Sequence, residues 1–376
     1  MAEHVEIVCA LRTPVGSLNG SLSTLSAHEL GTVCIKEALK CSNLEGGDVS
    51  EVILGQVLTA AQGQNPARQA SINSGIPDLV PACGVNMLCG SGIRSVVLGY
   101  QAIKTGDASI VVAGGQESMS KAPHCVHMRS GLKFGNGSLV DSMITDGLTD
   151  VFNNYHMGIT GYFISKWYLQ RTSKWRVWTG GYSMEVVTRA GSTEVTKDEF
   201  PRAGCTIDDF KKLKPAFIKD GSGTVTAGNS SGINDGAATL ILMSKSEADK
   251  RGLKSMGRVI AWAQAGVDPA LMGTGPIPAT KKALEKAGWS VSDVDLFELN
   301  EAFAAQSCAV IKDLGCNPDK VNVSGGAIAL GHPIGASGAR ILVTLLHGME
   351  RTSSKRGVAA LCVGGGMGIA VCIERA

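Results

Sequence analysis

Two widely separated stretches of this chain follow one plan, and no other feature limits its fold as much. In the first, Val85-Asn86 leads through a glycine-containing loop to a helix signal starting at Ser91, then to the apolar run Ser109–Ala113, which ends in Gly114-Gly115. In the second, Val321-Asn322 leads through a longer glycine-rich loop to a helix near Gly335, then to the run Val358–Val363, which ends in Gly364-Gly365-Gly366. An internal duplication explains both, and two such halves related by a pseudo-twofold axis would bring matching loops to one site. The repeat divides the chain into a first half, 1–118 plus 233–254, and a second half, 255–376. Between them lies an inserted loop domain, 119–232, rich in Gly, Ser and His.

The pattern inside each half is α/β. Short β-branched runs at Val5–Ala10, Glu51–Val57, Ala237–Met243, Arg258–Ala263, Val294–Glu298 and Gly368–Ile373 join the two strands above. Amphipathic segments at Ser26–Cys41, Pro66–Ser74, Ser91–Lys104, Pro276–Ala287, Asn300–Leu314 and Gly335–Met349 alternate with them. The 376 residues are enough for two or three domains of ~150 residues. Glycine, at 48 residues, clusters beside the apolar runs, where backbone must pass close to backbone or to a ligand.

Charge excludes several functions. With 35 Lys and Arg against 33 Asp and Glu, the net +2 sets up no global field for a nucleic acid or an acidic membrane, so an anionic partner must be gripped locally. No apolar run approaches the ~18 residues of a membrane span. Eleven cysteines without a C-x-x-C pair read as reduced thiols, and the expected compartment is the cytoplasm.

Four chemically capable groups fall at loop corners. Cys89, in Asn86-Met87-Leu88-Cys89-Gly90-Ser91-Gly92, precedes a helix whose free N–H groups and dipole would lower a thiol pKa and favour the thiolate. The same residue reads equally as a small buried hydrophobe. His332, between Gly331 and Pro333, is held for proton transfer or simply for loop structure. Cys362 closes a strand ahead of three glycines whose N–H groups could serve an oxyanion, although a cysteine there is more often core. Asn300, in Asn300-Glu301-Ala302-Phe303, has the form of a helix N-cap.

Taken together, these four segments, with Gly325-Gly326-Ala327-Ile328-Ala329-Leu330 before Gly331, closely resemble the thiolase family, and within it the biosynthetic branch. Ketoacyl synthases keep a cysteine nucleophile but lack the second cysteine. The resemblance covers about residues 1–160 and 197–376. It implies the thiolase fold: two duplicated βαβαβαββ halves in five layers (αβαβα), with an inserted loop domain that binds coenzyme A. The implied activity is acetyl-CoA C-acetyltransfer, in which two acetyl-CoA condense to acetoacetyl-CoA plus CoA through an acetyl-cysteine. Longer-chain 3-ketoacyl-CoA thiolysis, or an impaired acyl-CoA-binding homologue, are the alternatives.

Carried over residue by residue, the resemblance makes Cys89 the nucleophile, His332 its activator and Cys362 the acid/base that takes the α-proton. His332 and a water on Asn300 would serve one oxyanion, the N–H groups of Cys89 and Gly364 the other. No metal or redox cofactor is implied, because coenzyme A thioesters are the substrates. For their binding, Ser231 matches the pantetheine contact, Arg202 suits the nucleotide end, Cys205 stands where relatives often carry serine, and His156-Met157 matches the pantetheine and acyl-pocket wall. Ordinary alternatives are a turn around Ser231 and a solvated charge at Arg202. Lys211, Lys212 and Lys214 read as a solvated face. The segment Ala122–Lys133 resembles the family's tetramerisation loop and implies a homotetramer.

One tract departs from the family. Tyr155, Tyr162, Trp167, Tyr168, Trp175, Trp178 and Tyr182 crowd into one window with neither a helical nor a strand period, where relatives continue from Thr160 into long helices. The expectation is that 161–196 packs loosely and weakens coenzyme A binding.

Overall fold

The computed structural model of the chain describes residues 3–167, 184–188 and 191–375. Its main strands are β1 (Val5–Arg12), β2 (Glu51–Gly55), β3 (Ala82–Val85), β4 (Ile110–Ser118), β5 (Asn234–Ser244), β6 (Gly257–Gly266), β7 (Leu296–Leu299), β8 (Arg356–Val363) and β9 (Met367–Glu374). Its main helices are α1 (Ala27–Cys41), α2 (Pro66–Asn73), α3 (Ser91–Thr105), α4 (Gly158–Trp167), α5 (Pro276–Ala287), α6 (Ala304–Leu314) and α7 (Ile334–Arg351).

The strands run in the order β7-β8-β9-β6-β1-β5-β4-β2-β3. Each half repeats one ladder: β1 antiparallel to β5, β5 antiparallel to β4 and β4 parallel to β2 in the first, β6 antiparallel to β9, β9 antiparallel to β8 and β8 parallel to β7 in the second. The halves meet where Glu6 and Ile7 of β1 pair with Arg258 and Gly257 of β6. Even the outermost strand has its echo, since β3 pairs parallel to β2 and Val321 bridges parallel to Phe297 of β7.

Both faces of the sheet are covered. α1 and α2 close an outer core on the first half with Ile35, Leu39, Val52 and Ile241, while α5 and α6 close another on the second with Leu284, Val310, Phe297 and Val358. α3 and α7 lie between the halves and share the central core with Ile93, Val97, Leu342, Leu345, Leu240 and Leu361. The result is the five-layer thiolase arrangement. β4 and β5 are buried at every position, which is why they read as continuous apolar runs instead of alternating ones. The two central helices cross at glycine, because a Cβ on Gly92 would strike Ala339 N and one on Gly338 would strike Ile93 N. That approach draws the helix N-termini carrying Cys89 and His332 to one end of the core.

Two expectations change here. The helix assigned from Asn300 begins at Ala304, with Phe303 at its N-cap position, so Asn300 caps nothing. The aromatic tract is not uniformly loose: Gly161–Trp167 continues α4, and Tyr162 and Ile164 are buried. Tyr162 and Ser165 find hydroxyl partners in Ser222 and Thr224 that no periodicity displays. Tyr168, Trp175, Trp178 and Tyr182 lie outside the described residues. Met184–Thr188 and Gly191–Val195 pair as an antiparallel hairpin. The return from the insert is anchored to β1 by a buried ion pair, Arg12 Nη1 to Asp198 Oδ1 at 2.7 Å and Nη2 to Oδ2 at 2.9 Å.

Candidate active site

Cys89 sits in a tight bend ahead of α3. Leu88 adopts φ 48°, a left-handed conformation costly for a leucine, and three contacts impose it. Asn86 Oδ1 accepts from Leu88 N at 2.9 Å, Ser91 Oγ donates to Leu88 O at 2.6 Å, and Ser91 Oγ accepts from Met87 N at 2.9 Å. The bend seats the Cys89 sulfur among its own N–H and that of Gly364, both of which favour the thiolate. Burial outweighs them and, with the carboxyl of Glu117 nearby, pushes the thiol up to about 11. The expectation of a thiol lowered by the helix dipole is therefore overturned. Gly90 stands at the N-cap and the helix proper starts at Ser91, so the sulfur lies outside the first turn while paying full desolvation.

Cys362, wholly buried, is the penultimate residue of β8, and the Gly364–Gly366 turn follows Val363. Burial raises the Cys362 thiol far above the ordinary value, and the nearby Cys89 sulfur raises it further. Met157 packs with Cys362, Met272 and Ala302, and its Cε abuts the position a Cβ on Gly364 would take. His156 beside it is half-buried and stacked on Phe217 at 4.5 Å, with Nδ1 accepting from Gly158 N at 3.0 Å.

His332 precedes α7 and is buried. Its N–H donates to Asn234 Oδ1 at 2.9 Å, and its Nδ1 lies 2.6 Å from Ser337 Oγ. Burial, reinforced by the Arg340 cation, lowers the imidazole to about 3, so the ring is neutral at any working pH. Among the described residues no hydrogen bond joins it to the Cys89 thiol. With its thiol near 11 and its imidazole near 3, Cys89 and His332 are both neutral at rest.

Asn300 leaves the end of β7, parallel to β8, so it emerges at the same strand ends as Cys362. Its Oδ1 accepts from Arg340 Nη2 at 3.2 Å, and its buried Nδ2 has no partner among the described residues. Glu117, buried at the end of β4, accepts from Val57 N, Leu58 N and Gly335 N at 3.0, 3.2 and 2.9 Å and is raised to about 7 by burial. It ties the start of α7 to the first half.

Ser231 is half-buried, and its N–H donates to Ala302 O at 3.0 Å, next to Asn300. Arg202 and Cys205 are exposed on the stretch before the short helix Ile207–Lys211 and bond to none of these groups among the described residues. Lys211 and Lys212 pair with Asp208 and Asp209 on that exposed helix, the solvated face expected of them. Sequence reasoning missed Ser337, Arg340, Glu117, Asn234 and Leu88. Only Ser337 carried a signal, a hydroxyl one turn beyond the histidine.

Two buried thiols, a neutral histidine and an asparagine whose Nδ2 is unpaired among the described residues lie on duplicated α/β halves, and the chain belongs to the thiolase family. The family description "Thiolase, N-terminal domain" matches residues 5–174 and 180–246, and "Thiolase, C-terminal domain" matches 253–375. The chain is 55% identical to the cytosolic acetyl-CoA acetyltransferase of Mus musculus, over 100% of this chain and 99% of that protein. It is 55% identical to the acetyl-CoA acetyltransferase of Rhizobium meliloti, over 99% and 98%. Among solved structures, the Bacillus anthracis acetyl-CoA acetyltransferase superposes with a TM-score of 0.94 at 38% identity, covering 99% of both chains. Human mitochondrial 3-ketoacyl-CoA thiolase superposes with a TM-score of 0.92 at 38% identity, covering 100% of both.

Proposed function

We propose that this chain is an acetyl-CoA C-acetyltransferase, condensing two acetyl-CoA to acetoacetyl-CoA and CoA and running the thiolytic reverse. One observation carries the reading: two buried thiols lie close enough for the Cys89 sulfur to act on Cys362, and of the two only Cys89 is addressed by a pair of backbone N–H groups. Claisen condensation needs such an asymmetric pair, one sulfur to carry the acyl group and one to act as base.

His332 Nε2 takes the Cys89 proton as the sulfur attacks the acetyl-CoA carbonyl, and the N–H groups of Cys89 and Gly364 hold the oxyanion formed on that carbon. The C–S bond to coenzyme A then breaks, leaving acetyl-Cys89, and the departing thiolate takes the Cys362 proton. The resulting Cys362 thiolate is strongly basic because burial opposes its charge, which suits removal of a weakly acidic α-proton from the second acetyl-CoA. The enolate, its oxygen held by His332 and a water on Asn300 Nδ2, attacks acetyl-Cys89. Collapse breaks the Cys89–acyl bond and returns the proton to Cys89. The chemistry calls for no metal or redox group.

Met157 walls the acyl end beside Cys362, Ser231 and His156 flank the pantetheine, and exposed Arg202, with Cys205 beside it, meets the nucleotide phosphates. The chain assembles as a homotetramer, a reading supported by the exposed Val126, Met128, Leu132 and Phe134 on the loop after α3 and β4, the last 98% exposed. Its compartment is the cytosol, as the name of the mouse relative supports. Among the described residues no helix is long and apolar enough to cross a membrane.

The test is acetylation followed by turnover. Incubation with acetyl-CoA adds one acetyl mass to the Cys89 peptide, Cys89→Ser abolishes it, and Cys362→Ala keeps it while losing condensation. Label on another cysteine, or thiolysis favouring a longer 3-ketoacyl-CoA over acetoacetyl-CoA, refutes the assignment. Sedimentation as a monomer refutes the tetramer.

A further inference from the structure

We propose that Arg340, backed by Glu298, is a positioning residue of the condensation step, holding the Asn300 amide with its Nδ2 turned into the pocket. The inference rests on the acetyl-transfer reading above and adds to it a residue that touches no substrate.

The strand pattern sets the arrangement. Along β7, Phe297 and Leu299 face the outer core under α5 and α6, so Glu298 and Asn300 face α7, where Arg340 lies 2% exposed. A guanidinium has donors only, so the Asn300 atom 3.2 Å from Nη2 must be the carbonyl oxygen. Nδ2 then points away, buried and without a partner among the described residues. An amide held the other way would present oxygen to a developing oxyanion and oppose it. Arg340 therefore decides the sign of the dipole the site offers.

Stability does not account for this arginine. Among the described residues its Nε and Nη1 have no partner, and neither has Glu298 Oε2. Burying a guanidinium with most of its donors unmet is costly, and proteins keep such groups where function requires them. The same cation reinforces the neutrality of the His332 ring. The other charges acting on Arg340 are Glu298, Glu301, Arg12 and Asp198, and Glu117 holds the Gly335 N–H beside the histidine.

Three variants test the proposal: R340Q, R340K and E298Q/R340Q. Acetylation of Cys89 by acetyl-CoA is followed by mass, and condensation kcat, KM and pH profile are measured on the same protein. R340Q is expected to acetylate Cys89 within about threefold of wild type yet lose about 10–100-fold in condensation kcat at similar KM, a share of the ~100–1,000-fold that one oxyanion donor supplies. Its acid limb moves to higher pH, because a histidine without the adjacent cation protonates more readily. R340K, which restores a donor and the charge, regains most of the rate and the wild-type acid limb. Equal losses in both half-reactions with an unmoved acid limb, or R340K no better than R340Q, overturn the proposal. If R340Q does not fold, E298Q/R340Q, which removes the stranded carboxyl, carries the same comparison. If neither folds, R340K decides: condensation within about tenfold with the wild-type acid limb supports the role, and a larger loss overturns it. A wild-type protein that takes no acetyl group on Cys89 overturns the functional reading itself, whereas normal acetylation with R340Q indistinguishable from wild type overturns only the role of Arg340.

Discussion

His332 Nδ1 lies 2.6 Å from Ser337 Oγ, and that hydroxyl lies 2.8 Å from Pro333 O, one helical turn back. The carbonyl can only accept, so the single hydroxyl hydrogen goes to it and the oxygen receives Nδ1–H. The ring is thereby held in the tautomer whose Nε2 is a free base. Ser337→Ala removes that restraint. Acylation of Cys89 should fall about 10–100-fold, part of what a positioned general base supplies, with a stability loss of about 1 kcal/mol. Single-turnover acetylation and a denaturant melt separate the two; an unchanged acetylation rate refutes the tautomer assignment.

Adjacent glycines in the turn after β8 should fail differently. Gly364 has no positive φ, but a Cβ there would meet Met157 Cε at 2.5 Å and Leu88 Cδ1 at 2.6 Å, displacing the N–H from the Cys89 sulfur. Gly365 has φ 81°, and a Cβ there would make only ordinary contact, with Phe152 Cε2 at 3.7 Å and Met367 Cε at 4.0 Å. Gly364→Ala is expected to lower acylation at least about tenfold with a small change in Tm. Gly365→Ala should instead cost about 1 kcal/mol of stability through backbone strain, with a smaller effect on rate.

The neutral histidine makes the fold acid-sensitive. His332 is lowered to about 3, below its unfolded value of about 6.5, so its stabilising contribution is present above pH 6.5 and is lost as pH falls toward 3. Glu298, raised to about 8, acts in the opposite direction, its contribution being lost as pH rises from about 4.5 through 8. His332→Asn should therefore gain stability relative to wild type as pH drops from 6.5 to 4, measured by urea unfolding at each pH. A constant difference across that range contradicts the buried neutral ring.

The start of the aromatic tract should behave as core. Ile164 is 1% exposed, Tyr162 Oη lies 2.8 Å from Ser222 Oγ, and Ser165 Oγ lies 2.6 Å from Thr224 Oγ1. Ile164→Ala is expected to cost about 2–5 kcal/mol and Tyr162→Phe about 1 kcal/mol. Near-zero values for both would restore the loosely packed reading of these residues.

The sequence by itself determined the architecture and the reactive corners. The duplicated run from Val85 and Val321 is a local pattern repeated, and period and turn chemistry are local properties, so strands β1, β2 and β4–β9, the central helices and the positions of Cys89, His332 and Cys362 were legible without coordinates. What the corner residues do there was not. Asn300 has the sequence form of a cap, yet tertiary pairing extends the chain to Phe303 and turns the amide toward Arg340, forty residues away. Cys89 has the sequence form of a dipole-activated thiol, yet desolvation by both halves raises it to about 11. Only the tertiary structure could decide these points, because burial, dielectric surroundings and hydrogen-bond partners come from segments far apart in the chain. Ser337, Arg340 and Glu117 acquire their roles solely from the packing of α7 between the two halves.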